Sequence, residues 1–248
     1  MDAIAARIAF TFLMLLWAVG LCGQAFAYRP FDGTDAAVAD FGTIEIEVEP
    51  AGHLHEKSER TLIAPAVRLN YGLTEKWEAV LEGQWAHGLS ADTKRSSLVS
   101  NGAFLKGVIR EGSLQGRSGP SFATELGVLL PGINDEPGVG GSIAGIASQR
   151  WPWLTVHLNA AAAITRQRHG DLFFSIIAEG PHDWNVRPVA ELSCEREFRG
   201  LRATSGLVGA IWQVRDNVAI DVGLRAARIN DHPLNEVRAG VTFSFAVR

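Results

Sequence analysis

The sequence predicts an all-β protein, a transmembrane antiparallel up-and-down β-barrel of about twelve strands. Three observations carry that expectation. Apolar and polar residues alternate along most of the chain, the connections differ in length on two sides, and tryptophans gather at the short connections. A period of two places successive side chains on opposite faces of a strand. Past residue 27 no apolar run reaches the roughly 18 residues of a membrane-spanning helix, which excludes a helical membrane protein.

The chain opens with Arg7, an apolar run from Ile8 to Leu21, and Ala25-Phe26-Ala27. That is the layout of a secretory signal peptide with an A-x-A cleavage site, so residues 1–27 are expected to be removed near Ala27. A lipid anchor on Cys22 would want a small residue before it, and Leu21 stands there. Once the signal is gone only Cys194 remains, which excludes an intramolecular disulfide and a thiolate metal cluster. A formal net charge of -4 argues against nucleic acid as a partner.

The clearest strand is Thr43 to Glu49, TIEIEVE, with Ile44, Ile46 and Val48 against Glu45, Glu47 and Glu49. Val67, Leu69 and Tyr71 oppose Arg68 and Asn70, and Trp77, Ala79 and Leu81 oppose Glu78 and Glu82. Near the end, Val218, Ile220, Val222 and Leu224 oppose Asp221 and Arg225. Val237, Val241, Phe243 and Phe245 oppose Glu236, Arg238, Thr242 and Ser244. Weaker alternation marks strands near 101–111, 121–130, 140–150, 154–165, 172–180, 186–197 and 202–212. Each is about the 9 to 11 residues that a tilted strand needs to cross a bilayer.

The connections 72–76, 151–153, 180–185 and 213–217 are short, whereas those after the first, third and fifth strands are longer and polar. Short turns on one side and long loops on the other are the habit of an outer-membrane barrel, with the turns in the periplasm. The stretch 111–120 breaks the pattern, being long where a short turn is expected. Trp77, Trp151, Trp153, Trp184 and Trp212 lie in or beside the short turns, and Trp85 lies at the other end of the third strand. Indole favours the membrane–water interface, so these residues are expected to mark the rims.

Alternation alone leaves two settings open, a secreted soluble β-protein with its apolar side inward and a membrane barrel with that side toward lipid. The apolar face is rich in small residues such as Ala160, Ala162, Ala178, Ala190 and Ala239, which fill a packed core poorly. The polar face carries charges that would cost roughly 2–4 kcal/mol each if an Arg or Lys met lipid at midplane. Both favour the membrane. Residues 28–42 are expected to form an N-terminal periplasmic or plug segment, and 43–248 the barrel. The candidate lumen-lining groups are Glu45, Glu47, Arg68, Glu78, Glu82, Lys106, Arg110, Glu125, His157, Asn159, Arg187, Glu191, Glu195, Asp221, Arg225 and Arg238.

The mature start YRPFDGTDAAV, the stretch PSFATELGVLLPG from Pro120 and VHLNAAA from Val156 resemble motifs of a bacterial family. That family comprises outer-membrane barrels named after phenol meta-degradation pathways, MetA-type transporter or channel-like proteins. The sequence departs at Gly132, where Thr-Gly is commoner, and at its final Arg248, where an aromatic often ends a barrel. The resemblance implies a channel for small, aromatic or hydrophobic solutes in a Gram-negative outer membrane, with lipid and lipopolysaccharide as surroundings. No cofactor is expected.

Two constellations raise other chemistry. His157 and Asn159 share a strand face near Ser148, the residue types of a barrel phospholipase. Their register points them inward, away from any lipid substrate, so they are read as a hydrogen-bonding pair and not as catalysts. His53, His55 and Glu56 fall in the first long loop and offer too few ligands for a metal, so no metal site is assigned.

Overall fold

The computed structural model describes residues 29–56, 59–90 and 95–247, so the expected signal peptide lies outside the described residues. Thirteen strands form one antiparallel sheet. They are β1 (Thr43–Glu49), β2 (Gly52–Glu56), β3 (Glu59–Thr74), β4 (Trp77–Gly88), β5 (Ser96–Arg110), β6 (Ser121–Leu129), β7 (Gly140–Trp151), β8 (Leu154–Ile164), β9 (Gly170–Glu179), β10 (Val186–Glu197), β11 (Arg202–Arg215), β12 (Val218–Ile229) and β13 (His232–Ala246). Each strand from β3 onward pairs with its sequence neighbours, and β1 closes the sheet by pairing with both β13 and β3.

The barrel has twelve staves, because β1 and β2 are one stave broken at Pro50. Both lie between β13 and β3. Against β3 they keep a single register, from Ile44↔Tyr71 to Glu56↔Glu59. Against β13 the register slips by one residue between Val48↔Val241 and His53↔Val237. Proline cannot donate to a ladder, so an irregularity beside Pro50 is where a stave is expected to break.

The expected first loop is therefore corrected. His53, His55 and Glu56 belong to a hairpin that prolongs the sheet, with His55 opposite Arg60 and Glu56 opposite Glu59. Among the described residues, no group of three His, Cys, Asp or Glu side chains is placed to hold a metal.

The side-chain alternation gives the barrel two unlike surfaces. Leu81, Leu158, Leu192, Val208 and Leu224 stand exposed on the outside, while Glu45, Glu47, Glu78, Lys106 and Asp221 are buried inside. This inverts the usual soluble distribution and suits lipid outside and a polar interior. Trp151 and Trp153 stack at 6.5 Å beside the β7–β8 turn, and Trp184 and Trp212 are exposed on the same side of the barrel. Trp77 lies over Gly107 on the neighbouring strand, where a Cβ would come within 2.4 Å of the indole ring. Glycine there lets the ring lie flat against the wall.

The long connection at 111–120 has a physical reason. It carries a 3-10 turn, Ser113–Gln115, that folds toward the interior. Leu114 packs against Ala36, Ala123 and Ile146, and Gln115 Nε2 donates to the Ala36 carbonyl at 2.9 Å. The extra length reaches the N-terminal segment.

Candidate functional site

Residues 29–42 line the inside of the barrel as an extended strap. It begins at the β1–β3 rim, where Gly42 N–H donates to the Gly72 carbonyl at 2.9 Å. From there it follows the wall. Ala39 N–H donates to Glu78 Oε2 on β4 at 2.7 Å, and Ala36 N–H to Ser148 Oγ on β7 at 2.9 Å. Asn159 on β8 receives the Thr34 N–H at 3.1 Å and returns Nδ2 to the Thr34 carbonyl at 2.9 Å, imitating a strand partner. The Glu191 carboxylate on β10 takes both the Asp32 and Gly33 N–H groups, at 2.7 and 2.8 Å.

The circuit then closes. Asp32 meets Arg225 Nε on β12 at 3.0 Å and Arg238 on β13 at 2.7 Å, and Arg238 also donates to the Pro30 carbonyl at 2.8 Å. Arg29 pairs with Glu49 on β1, and Asp221 lies 3.8 Å from it. At roughly 3.3 Å per residue the strap reaches about 45 Å. Twelve strands about 4.8 Å apart and tilted about 40° make a wall of about 75 Å circumference, and inward side chains reduce its inner circuit to a similar 45 Å. The strap is thus long enough to ring the interior.

The expected lumen groups divide by partner. Glu78, Asn159, Glu191, Arg225 and Arg238 hold the strap, and Lys106 joins them through Thr34 Oγ1 at 3.2 Å and Asp35 at 3.4 Å. Arg68 pairs with Glu82 at 3.0 Å and Glu125 at 3.2 Å. Glu47 accepts from Asn70 at 2.9 Å, and Arg187 faces Glu179 at 3.5 Å. Glu45 and Asp221 are buried and Glu195 half-buried on the same face.

Arg110 is the exception. The alternation of Lys106, Val108 and Arg110 points all three inward, but a bulge falls between Val108↔Ala123 and Arg110↔Phe122. One extra residue reverses the face. Arg110 is exposed, with its guanidinium carbon 5.9 Å from the centre of the Phe122 ring.

Ser148, His157 and Glu179 form a chain, with Ser148 Oγ 2.7 Å from His157 Nδ1 and His157 Nε2 3.2 Å from Glu179 Oε1. A neutral imidazole protonated on Nε2 satisfies every contact: the Ala36 amide donates to Ser148, Ser148 to His157, and His157 to Glu179. The serine lies on the inner wall, and its oxygen accepts from the strap.

Beneath this chain, at the short-turn end, lies a polar cavity of about 380 Å³. Asp35 of the strap, Glu179, Asp183 and Asp216 line it together with Arg150, Arg187 and Trp184.

Comparison with solved structures bears on the fold. An outer-membrane channel from Pseudomonas putida F1 superposes with a TM-score of 0.67 at 10% identity, covering 87% of this chain and all of that one. The fold is that of outer-membrane channels and porins. NanC porin matches with a TM-score of 0.59 at 8% identity, covering 81% of this chain and 98% of the porin. KdgM porin, solved in complex with disordered oligogalacturonate, matches with 0.55 at 11% identity over 81% of this chain and 99% of the porin. No protein-family model matches the sequence. No curated protein matches it at a significant level.

Sequence reasoning missed the strap's own anchors, Arg29 and Asp32, and the wall groups Glu49 and Glu179. Glu49 continued an alternation already noted. Arg29 and Asp32 carry no local signal, since their side-chain partners Glu49, Arg225 and Arg238 stand far along the chain, whereas Glu179 meets Arg187 across a short turn.

Proposed function

We propose that the protein is an outer-membrane channel of Gram-negative type, delivered by a signal peptide removed near Ala27, through which small solutes pass along a polar, strapped lumen. The observation that supports this most is how the strap is held. Wall side chains accept its backbone N–H groups along its length, so the barrel is filled by a segment and not by a packed apolar core. Such contacts contribute about 1.5–3 kcal/mol each when the acceptor is charged and can be exchanged for water. A hydrogen-bonded insert in a water-compatible tube is a means of narrowing a channel. Lipid and lipopolysaccharide surround the outer face.

The polar wall supports hydrophilic or charged solutes more than the aromatic or hydrophobic ones implied by the family resemblance. A non-conducting barrel is the second reading, favoured by the strap's full circuit. Planar-bilayer recordings separate the two. Refolded protein should give discrete steps, and a variant lacking residues 29–39 should give larger ones. Silence from both, with heat-modifiable gel mobility proving that each barrel folded, would establish the non-conducting reading.

A further inference from the structure

At the end of the barrel away from the short turns, the outer face carries an unbalanced positive charge. Arg196 near the end of β10 lies directly opposite Arg202 at the start of β11. Arg228 on β12 faces Thr204, two residues along from Arg202 and on the same side of the sheet. Arg199 stands in the turn that joins β10 to β11, and all four arginines are exposed. Among the described residues, the side chains of Arg196, Arg199 and Arg202 make no hydrogen bond and no ion pair. Arg228 meets only Asp231, at 3.8 Å in an exposed turn. The neighbouring carboxylates Glu195 and Glu197 alternate to the inner face, where Glu197 is engaged by His169 Nδ1 at 2.7 Å. Asp231 is thus the one carboxylate set against four guanidinium groups.

Like charges on directly opposite residues of an antiparallel pair repel, and an anion seated between them replaces that repulsion with shared attraction. Depth says which anion. Leu192 lies midway along β10, and Arg196 is four residues further on the same face. At about 3.4 Å per residue and a tilt of about 40°, that is about 10 Å along the membrane normal, close to the edge of an apolar band about 25 Å tall. Directly below the arginines the same three strands expose Leu192, Val208 and Leu224. We propose that this patch is a docking surface for a phosphorylated glycolipid of the outer leaflet, the lipid A portion of lipopolysaccharide. One of its phosphates sits between Arg196 and Arg202, and its acyl chains run down over the apolar side chains. A guanidinium fork matches phosphate oxygens in pairs, which a compact ammonium does not. A lipid phosphate is held at this depth by its own chains, whereas a dissolved anion has no use for the apolar wall beneath. The proposal rests on reading the protein as an outer-membrane barrel with its short turns in the periplasm.

The test is native mass spectrometry of the refolded protein in detergent, titrated with diphosphorylated lipid A. One lipid A should bind saturably, and Arg196→Gln combined with Arg202→Gln should weaken it at least tenfold. Arg196→Lys combined with Arg202→Lys should recover part of the affinity, since charge returns without the fork. Lipid A stripped of both phosphates should bind the wild type no better than intact lipid A binds the double glutamine variant. Arg215→Gln, exposed near the short-turn end, should bind as the wild type does. Equal affinity in the wild type and the double glutamine variant, or equal binding of the phosphate-free lipid, would overturn the assignment. So would displacement of lipid A by an equal concentration of inorganic phosphate, which would make the patch a site for a free anion. Heat-modifiable mobility confirms that each variant folds. Lipid A binding without conductance would sink the channel reading and leave the patch standing; conductance without selective lipid A binding would do the reverse.

Discussion

The Glu191 carboxylate receives the Gly33 backbone N–H at 2.8 Å on one oxygen while the other takes the adjacent Asp32 N–H at 2.7 Å. One wall side chain therefore satisfies two consecutive strap amides. Glu191→Ala leaves both without an acceptor, a loss of about 1.5–3 kcal/mol for each charged hydrogen bond. The strap should detach locally while the barrel persists. Single-channel conductance of Glu191→Ala should exceed that of the wild type, and Glu191→Gln, which keeps one oxygen, should fall between them. Equal conductance in all three would mean that the strap does not restrict flow.

Gly72 tests the strap's entry. A Cβ at this position would lie 2.1 Å from the Asp40 carbonyl oxygen and 2.5 Å from that of Ala39. Both are backbone atoms and cannot rotate aside, so overpacking costs about 1–3 kcal/mol. Gly72→Ala should speed amide hydrogen exchange at Ala39 and Gly42, which are bonded to Glu78 and Gly72. Gly145→Ala, whose added Cβ meets nothing within 4 Å, serves as the control. Unchanged exchange in Gly72→Ala would place the entry elsewhere.

The Asp32 latch should be sensitive to acid. Burial opposes ionisation of this strap carboxyl, but Arg238 and Arg225 outweigh it and hold Asp32 below its ordinary value of 3.8. A carboxylate depressed on folding adds stability that is present above its unfolded pKa and is lost as pH falls through the folded one. This latch should hold from neutral pH down to about 4 and release below that. Conductance recorded from about pH 7 to pH 3 should show an acid step that Asp32→Asn removes. An identical step in Asp32→Asn would assign it to another group.

Much of this was legible because a strand's period of two writes its two faces directly into the residues. TIEIEVE could be read as a wall strand, and Glu78 and Lys106 as inward groups, from alternation alone. Arg110 could not, because a bulge adds one residue and leaves no mark on composition. The break at Pro50 was likewise hidden behind polar residues that resembled a loop, and so was the His53–His55 hairpin. The partners of the wall charges were illegible for another reason. Glu191 and Gly33 are 158 residues apart, and no periodicity reports on contacts between a wall and a strap that crosses it.

The outer face can be tested by depth. Leu192 on β10 and Ile109 on β5 are almost equally exposed, at 66% and 65%. Leu192 lies midway along its strand, opposite Gly206 and Ile176, whereas Ile109 is next to the strand end at Arg110. On a soluble surface the two positions should tolerate arginine alike. In a bilayer an arginine costs about 2–4 kcal/mol at midplane and about 0–1 near the interface. Urea unfolding in phospholipid vesicles should therefore show Leu192→Arg destabilised by that larger amount and Ile109→Arg barely changed. The same pair in detergent micelles, which deform around a charge, should differ less. Equal effects of the two substitutions in vesicles would contradict a lipid-facing wall, because depth and the bulge that loosens the local ladder at Ile109 both make that position, near the strand end, the more tolerant one.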